Sequence, residues 1–175
     1  MAMMDDLLMI AVMLIFPATM AFAAASDLIS MTISNRLSFV LMGGFAVLAI
    51  WSGMGLEQVG WHVLAGASVL VVGFAVFAFG WIGGGDAKLA AGTALWFGFS
   101  YQLVDYLLLS ALFGGALTII MLTYRNFPVP KLLNGQAWAM RLHRADEGVP
   151  YGLALAAGAL TVYPKSWWMM QALGF

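Results

Sequence analysis

The 175-residue chain is 63% hydrophobic and only 9% charged, with a net charge of −1 and no cysteine, and its mean hydropathy is +0.96. Soluble domains carry roughly 25% charged residues, so the composition excludes a water-covered globule and makes lipid the solvent for most of the chain. It also excludes the basic field that nucleic-acid binding needs, and any disulfide, thiolate-metal or thiol-nucleophile chemistry.

The first apolar run, 7–25, ends in Ala23-Ala24-Ala25, as a cleaved secretory signal does. Acidic Asp5-Asp6 stands where a signal is basic, however, and the run exceeds the roughly 7–15 apolar residues of a signal. The expectation is a retained spanning helix. A span needs about 20 apolar residues, and the scarce charges divide the chain into six such segments: 7–26, 37–55, 59–80, 86–104, 106–124 and 149–163. The reading is an all-α polytopic membrane protein with six transmembrane helices in a single domain, 1–175. The fourth segment is short, about 24 Å of helix between Lys88 and Asp105, so it either thins the bilayer or keeps one end in a polar recess.

Lys and Arg stay on the cytoplasmic side far more often than they cross. Arg36, Lys88, Arg125, Lys131, Arg141 and Arg144 fall in or beside the first, third and fifth connections, and only Lys165 falls opposite. Those connections are therefore expected in the cytoplasm and both termini outside it. Gly43-Gly44, Gly53, Gly55, Gly114-Gly115, Gly152 and Gly158 are expected to pack helices together. The tryptophans, near segment ends, are read as an interfacial belt.

Two carboxylates need explaining, because charge near hydrocarbon is costly and marks function by default. Asp27 follows the first helix within the polar break Ser26-Asp27-Leu28-Ile29-Ser30-Met31-Thr32-Ile33-Ser34-Asn35-Arg36, where Asn35 is placed to cap the second helix. Asp86 opens the fourth helix in Gly83-Gly84-Gly85-Asp86-Ala87-Lys88. Three glycines there cost helix stability but let a peptide or a neighbouring helix approach the backbone closely. Lys88 brings a positive charge near Asp86. The topology puts both aspartates at the cytoplasmic surface. Asp5, Asp6, Glu57 and Asp105 map to the other side, and Asp146 and Glu147 to the fifth connection. Each aspartate alone also reads as a cap or a loop-edge charge.

Asp27 with Ile33 and Asn35 following, Gly83-x-Gly85-Asp86-x-Lys88, and Val149-Pro150-Tyr151-Gly152 opening the last helix form an ordered set. With it the chain resembles the type IV prepilin peptidases, membrane aspartic peptidases of the GxGD type, and among them the short members that process Flp-type pilins. One departure is Ser34, where similar sequences usually have proline. The resemblance implies Asp27 and Asp86 as catalytic residues, with Gly83, Gly85, Lys88, Asn35, Pro150, Tyr151 and Gly152 shaping the site. It also implies prepilins or pseudopilins as substrates, cut at the cytoplasmic face of the bacterial inner membrane, with no cofactor. Bifunctional relatives carry an added cytoplasmic region that methylates the processed pilin. Nothing here corresponds to it, so peptidase activity alone is expected. Two carboxylates are chemically sufficient for amide hydrolysis. One activates water while its protonated partner polarises the carbonyl, and two like charges in contact share one proton.

The fifth connection, 125–148, would as a helix align Leu133, Ala137 and Met140, with Lys131, Arg141 and Arg144 reaching lipid headgroups. A substrate gate is the alternative. His62 and His143 have no metal-ligand partners at suitable spacing. Rival readings of the whole are a proton-coupled transporter component, a two-carboxylate divalent metal site and a non-catalytic subunit of pilus assembly.

Overall fold

A computed structural model describes residues 2–130, 133, 135–144 and 146–174, with side chains from residue 6 onward; Lys131 lies outside the described residues. The chain is helical: α1 (Ala2–Ser30), α2 (Asn35–Trp51), α3 (Leu56–Ala78), α4 (Gly84–Phe97), α5 (Tyr101–Asn126), α6 (Ala137–His143), α7 (Tyr151–Val162) and α8 (Trp167–Leu173), with a 3-10 turn at Tyr163–Lys165 before α8. Three helices are long and apolar enough to cross a membrane, over Asp6–Ser30, Leu56–Ala78 and Tyr101–Asn126, and Asn35–Trp51 is a shorter apolar helix. The protein is a multi-pass membrane protein.

Several expected boundaries move, for local reasons. The first helix continues through Asp27 to Ser30, so Asp27 occupies its last turn. The fourth helix stops at Phe97, well short of 104, because Gly98 takes a φ of +63° and the Ser100 side chain caps α5 by accepting from the Leu103 N–H. Val104 and Asp105 thus belong to α5. Ser34, the replacement for proline, is the N-cap of α2 and accepts from the Arg36 N–H at 3.3 Å. Asn35 is the first helical residue, and its side chain is used elsewhere.

The short α4 and α7 occupy the middle of the bundle. Helix α7 packs against α1 and α5, while α4 packs against α3, α2 and α7. Fourteen residues of α4 make about 21 Å of helix, shorter than the roughly 30 Å of a hydrocarbon core. The far end of α4 is not a polar recess. It is covered by α8, whose Trp168 is buried beside Trp96, Phe45 and His62. The Trp168 indole donates to the Trp96 carbonyl and the Trp96 indole to the Leu41 carbonyl, both at 2.9 Å. His62, also buried, holds the Leu95 carbonyl through Nδ1 at 2.8 Å. Phe16 stacks on Tyr163, whose hydroxyl donates to the Val12 carbonyl at 2.8 Å. Trp96 and Trp168 are therefore core residues rather than belt residues, whereas Trp51, Trp61 and Trp81 are exposed.

The glycines divide likewise. A Cβ on Gly44, Gly114, Gly152 or Gly158 would run into a neighbouring element, whereas Gly43, Gly53, Gly55 and Gly115 face open space and are not packing positions.

Candidate active site

Asp27 lies in the last turn of α1 and is 5% exposed. Its Oδ2 accepts a hydrogen bond from the Gly152 N–H at 2.7 Å. Gly152 is the second residue of α7, so the amide belongs to the first turn, where N–H groups lack intrahelical partners and aim at anions. Pro150 precedes it as the buried N-cap, and a proline there spends no N–H. Only glycine fits at 152: a Cβ would stand 2.9 Å from Asp27 Oδ2 and 2.6 Å from Ile33 Cδ1.

Asp86 sits in the first turn of α4, and its Oδ2 accepts from the N–H of Gly83, the N-cap, at 3.1 Å. The other oxygen, Oδ1, is buried and has no partner among the described residues. The two carboxylates are thus held in one manner, each on a backbone N–H at a helix N-terminus, Asp86 by its own helix and Asp27 by α7.

Ile33 wedges the two motifs together. A Cβ on Gly85 would approach Ile33 Cβ to 3.1 Å, and the other end of the same side chain touches Gly152. The connection 31–34 that carries it is tightly made. Met31 takes a left-handed φ of +54°, its N–H donates to the Asp27 carbonyl at 2.8 Å, and the Ser26 hydroxyl donates to the Thr32 carbonyl at 2.9 Å. A non-glycine residue in that region stores roughly 1–3 kcal/mol, which the surrounding bonds must hold.

Lys88 does not serve Asp86. Two residues along a helix put it on another face, and its Nζ donates to Asn35 Oδ1 at 2.9 Å, tying α4 to the start of α2. Tyr151 likewise turns away from the carboxylates and packs over Gly114 of α5. Of the nine residues singled out in the sequence, Asp27, Asp86, Gly83, Gly85 and Gly152 meet directly or through Ile33. Pro150 presents Gly152, Lys88 and Asn35 form a neighbouring brace, and Tyr151 is a packing residue.

The fifth connection takes a form that the sequence did not suggest. Helix α6 buries Ala139 and Leu142 and leaves Met140 exposed, so the Leu133, Ala137 and Met140 stripe is not its inner face. Arg141 does not reach outward: its Nη1 donates to the Ile29 carbonyl at 2.9 Å, capping the end of α1 two residues after Asp27. Arg144 pairs with Asp146, which holds that exposed carboxyl below the usual range. Arg125, the last cation of α5, binds three carbonyls. Its Nε donates to Leu142 O at 2.9 Å and Nη2 to Glu147 O and Gly148 O, both at 2.8 Å. These fasten the connecting segment that delivers Pro150 and Gly152. In the sequence Arg125 signals only topology, since nothing local marks carbonyls 17 to 23 residues away as its partners.

No curated protein and no solved structure matches the chain. The profile of the type IV leader peptidase family matches residues 14–119, a stretch that includes Asp27, Ile33, Asn35 and the whole glycine–aspartate motif and stops before Val149. That match covers more than half of the sequence and takes in both aspartates with the helices that carry them, and the chain belongs to the type IV leader peptidase family.

Proposed function

We propose that this protein is a membrane aspartic endopeptidase that removes the basic leader from Flp-like type IV prepilins and pseudopilins, with Asp27 and Asp86 as its catalytic pair. The observation that carries the reading is that the two aspartate motifs lie against opposite ends of Ile33, each carboxylate fixed by one backbone N–H. In this reading one of them, ionised, takes a proton from the attacking water. The other, protonated, polarises the scissile carbonyl and then supplies a proton to the departing amine. The two N–H groups fix the carboxylate planes, and Asp86 Oδ1, buried without a partner among the described residues, is the oxygen left for water or the carbonyl. Gly83 leaves the space that Asp86 Oδ2 occupies, and Gly85 leaves the space that Ile33 occupies.

The placement suits such a substrate. Arg36, Lys88, Arg125, Arg141 and Arg144 lie toward the same end of the bundle as the aspartates, which by the distribution of cations is the cytoplasmic face. A basic leader would stay in the cytoplasm and the apolar segment after it in the bilayer, so that the cut falls at the boundary. We take the domain as 1–175, with six crossings of the bacterial inner membrane and both termini outside the cytoplasm. Peptidase activity without methyl transfer fits a connection between α1 and α2 of only residues 31–34. Transfer of a labelled methyl group to the mature pilin by the purified protein would overturn that part alone.

Co-expression with a Flp-type prepilin, read as a gel shift at matched membrane levels, tests the whole. Asp27→Asn and Asp86→Asn are each expected to abolish processing. An aspartate whose variant cleaves normally is not catalytic, and a wild type that leaves every prepilin uncut removes the peptidase reading.

A further inference from the structure

Helices α2 and α3 each lie on α4 and hardly touch one another. The gap between them is a groove of about 760 Å³ that opens to the lipid. Its walls are apolar, with Met42 and Ile50 from α2 and Val63 and Leu70 from α3, over a floor of Ala91 and Leu95 from α4. From Asn35 to Ile50 it follows α2 for about 22 Å, most of the roughly 30 Å thickness of a hydrocarbon core. Polar side chains occur at one end only, where Asn35, Ser38 and Lys88 form the head. The ammonium of Lys88 donates to the Asn35 amide oxygen, and no carboxylate lies within ion-pair distance of it among the described residues. A cation and two neutral hydrogen-bonding groups above a long apolar trough match the shape and charge order of a phospholipid.

We propose that this groove is a binding site for one anionic phospholipid of the leaflet on the aspartate side. Its phosphate would rest on Lys88, with Asn35 and Ser38 beside it, and its acyl chains would lie between α2 and α3. Three features favour a lipid over a protein helix. Among the described residues the only charge lining the groove is a cation at the interfacial level, where anionic headgroups lie. A helix descending from that face would bring the positive end of its dipole to Lys88. The groove's far end, at Ile50, Met54 and Leu56, is as apolar as its middle and offers no partner for a second polar terminus. Seated there, the lipid joins α2 to α3, which the protein leaves unjoined, and it reaches the Lys88–Asn35 link two residues along α4 from Asp86. The proposal does not depend on the peptidase reading.

Native mass spectrometry of the purified protein, delipidated in mild detergent and titrated with phosphatidylglycerol or phosphatidylcholine, tests it. The expected result is one retained phosphatidylglycerol per chain, held at least fivefold more tightly than phosphatidylcholine. Ala46→Trp and Ala67→Trp add bulk at exposed groove positions without opening the core, and each should reduce retention at least tenfold. Leu112→Trp, at an exposed position of α5 outside the groove, should not. Lys88→Met should cost about fivefold, the contribution of a single cation near an anionic surface, and Lys88→Arg should restore it. A photoreactive residue at position 42 should give a lipid adduct, which keeps the test decisive if a tryptophan variant fails to fold. Equal retention of the two lipids, or retention unchanged in the tryptophan variants, would reduce the groove to ordinary boundary lipid. An adduct from position 42 to a second copy or to a substrate segment overturns the proposal as well.

Discussion

The two ends of the bundle are built on opposite principles. At the far end, large side chains fill space: Phe16, Phe45, His62, Trp96, Tyr163 and Trp168 interlock, and their polar atoms find backbone carbonyls. At the aspartate end space is kept by leaving side chains out, and the bonds that matter come from backbone N–H groups of Gly83 and Gly152 and from arginines that hold loop carbonyls. Truncation should therefore damage one end and addition the other. The first kind of damage should appear as lost stability, the second as lost activity in a folded protein.

The largest effect is expected from Trp96→Ala. Trp96 is fully buried, and its removal leaves a cavity and takes away the indole bond to the Leu41 carbonyl. In lipid the transfer contribution shrinks, because the unfolded reference is not hydrated, but lost packing remains. A destabilisation of about 3 kcal/mol, the lower end for aromatic truncation, should appear in thermal unfolding of the detergent-purified protein. Whatever fraction folds should retain its turnover. A stable Trp96→Ala protein with impaired chemistry would merge the two ends and refute the contrast.

Gly152→Ala comes next and tests the opposite end. The added carbon meets Asp27 Oδ2 and Ile33 Cδ1, so either the carboxylate or the start of α7 must shift. Displacing a reacting group by about 1 Å costs on the order of a hundredfold, and that loss is expected in kcat of prepilin cleavage with unfolding temperature little changed. Arg125→Ala should cost less, about tenfold in kcat with KM unchanged, because three carbonyls lose their donor while α7 itself remains. If Arg125 acts by delivering the Gly152 amide, its removal in the Gly152→Ala background should add almost nothing. Fully multiplying losses would make it an independent structural residue, and Arg125→Lys, which lacks the fork, should recover only part of the rate.

The contrast also explains what could be read from the sequence. Composition and the spacing of rare charges are enough for a helical membrane protein, because a charge in hydrocarbon is costly wherever it falls. Glycine clusters around a lone Asp86 are legible for the same reason, since no helix keeps three glycines without need. Helix ends at 97 and 101 are not, because Gly98 and Ser100 look like any small residues inside an apolar run until the backbone turns there. The partners of Lys88 and Arg141 are equally hidden. A cation in a membrane sequence advertises its side of the bilayer, while its partner, a lone amide oxygen or an exposed carbonyl such as Ile29 O, carries no signature. Trp96 and Trp168 show the converse error: tryptophan near a segment end reads as interfacial, yet α8 folds over the short α4 and makes both of them core.

Ser34→Pro is the smallest and the most local of these tests. Ser34 holds φ −66° and ψ 137°, values a proline adopts without strain, and its N–H makes no hydrogen bond among the described residues. The substitution forfeits the side-chain cap to Arg36, which at 3.3 Å is long and therefore worth less than the usual cap of about 1 kcal/mol. In return it stiffens the unfolded chain by about 0.4–1 kcal/mol. Stability should thus change by less than about 1 kcal/mol, and cleavage should stay within twofold of wild type. The measurement is informative because of the neighbour. Ile33 stands between Gly85 and Gly152, so a proline that pushed its backbone would separate the two aspartate motifs, and a tenfold loss of cleavage at unchanged stability would show that the serine is there to let Ile33 reach them both.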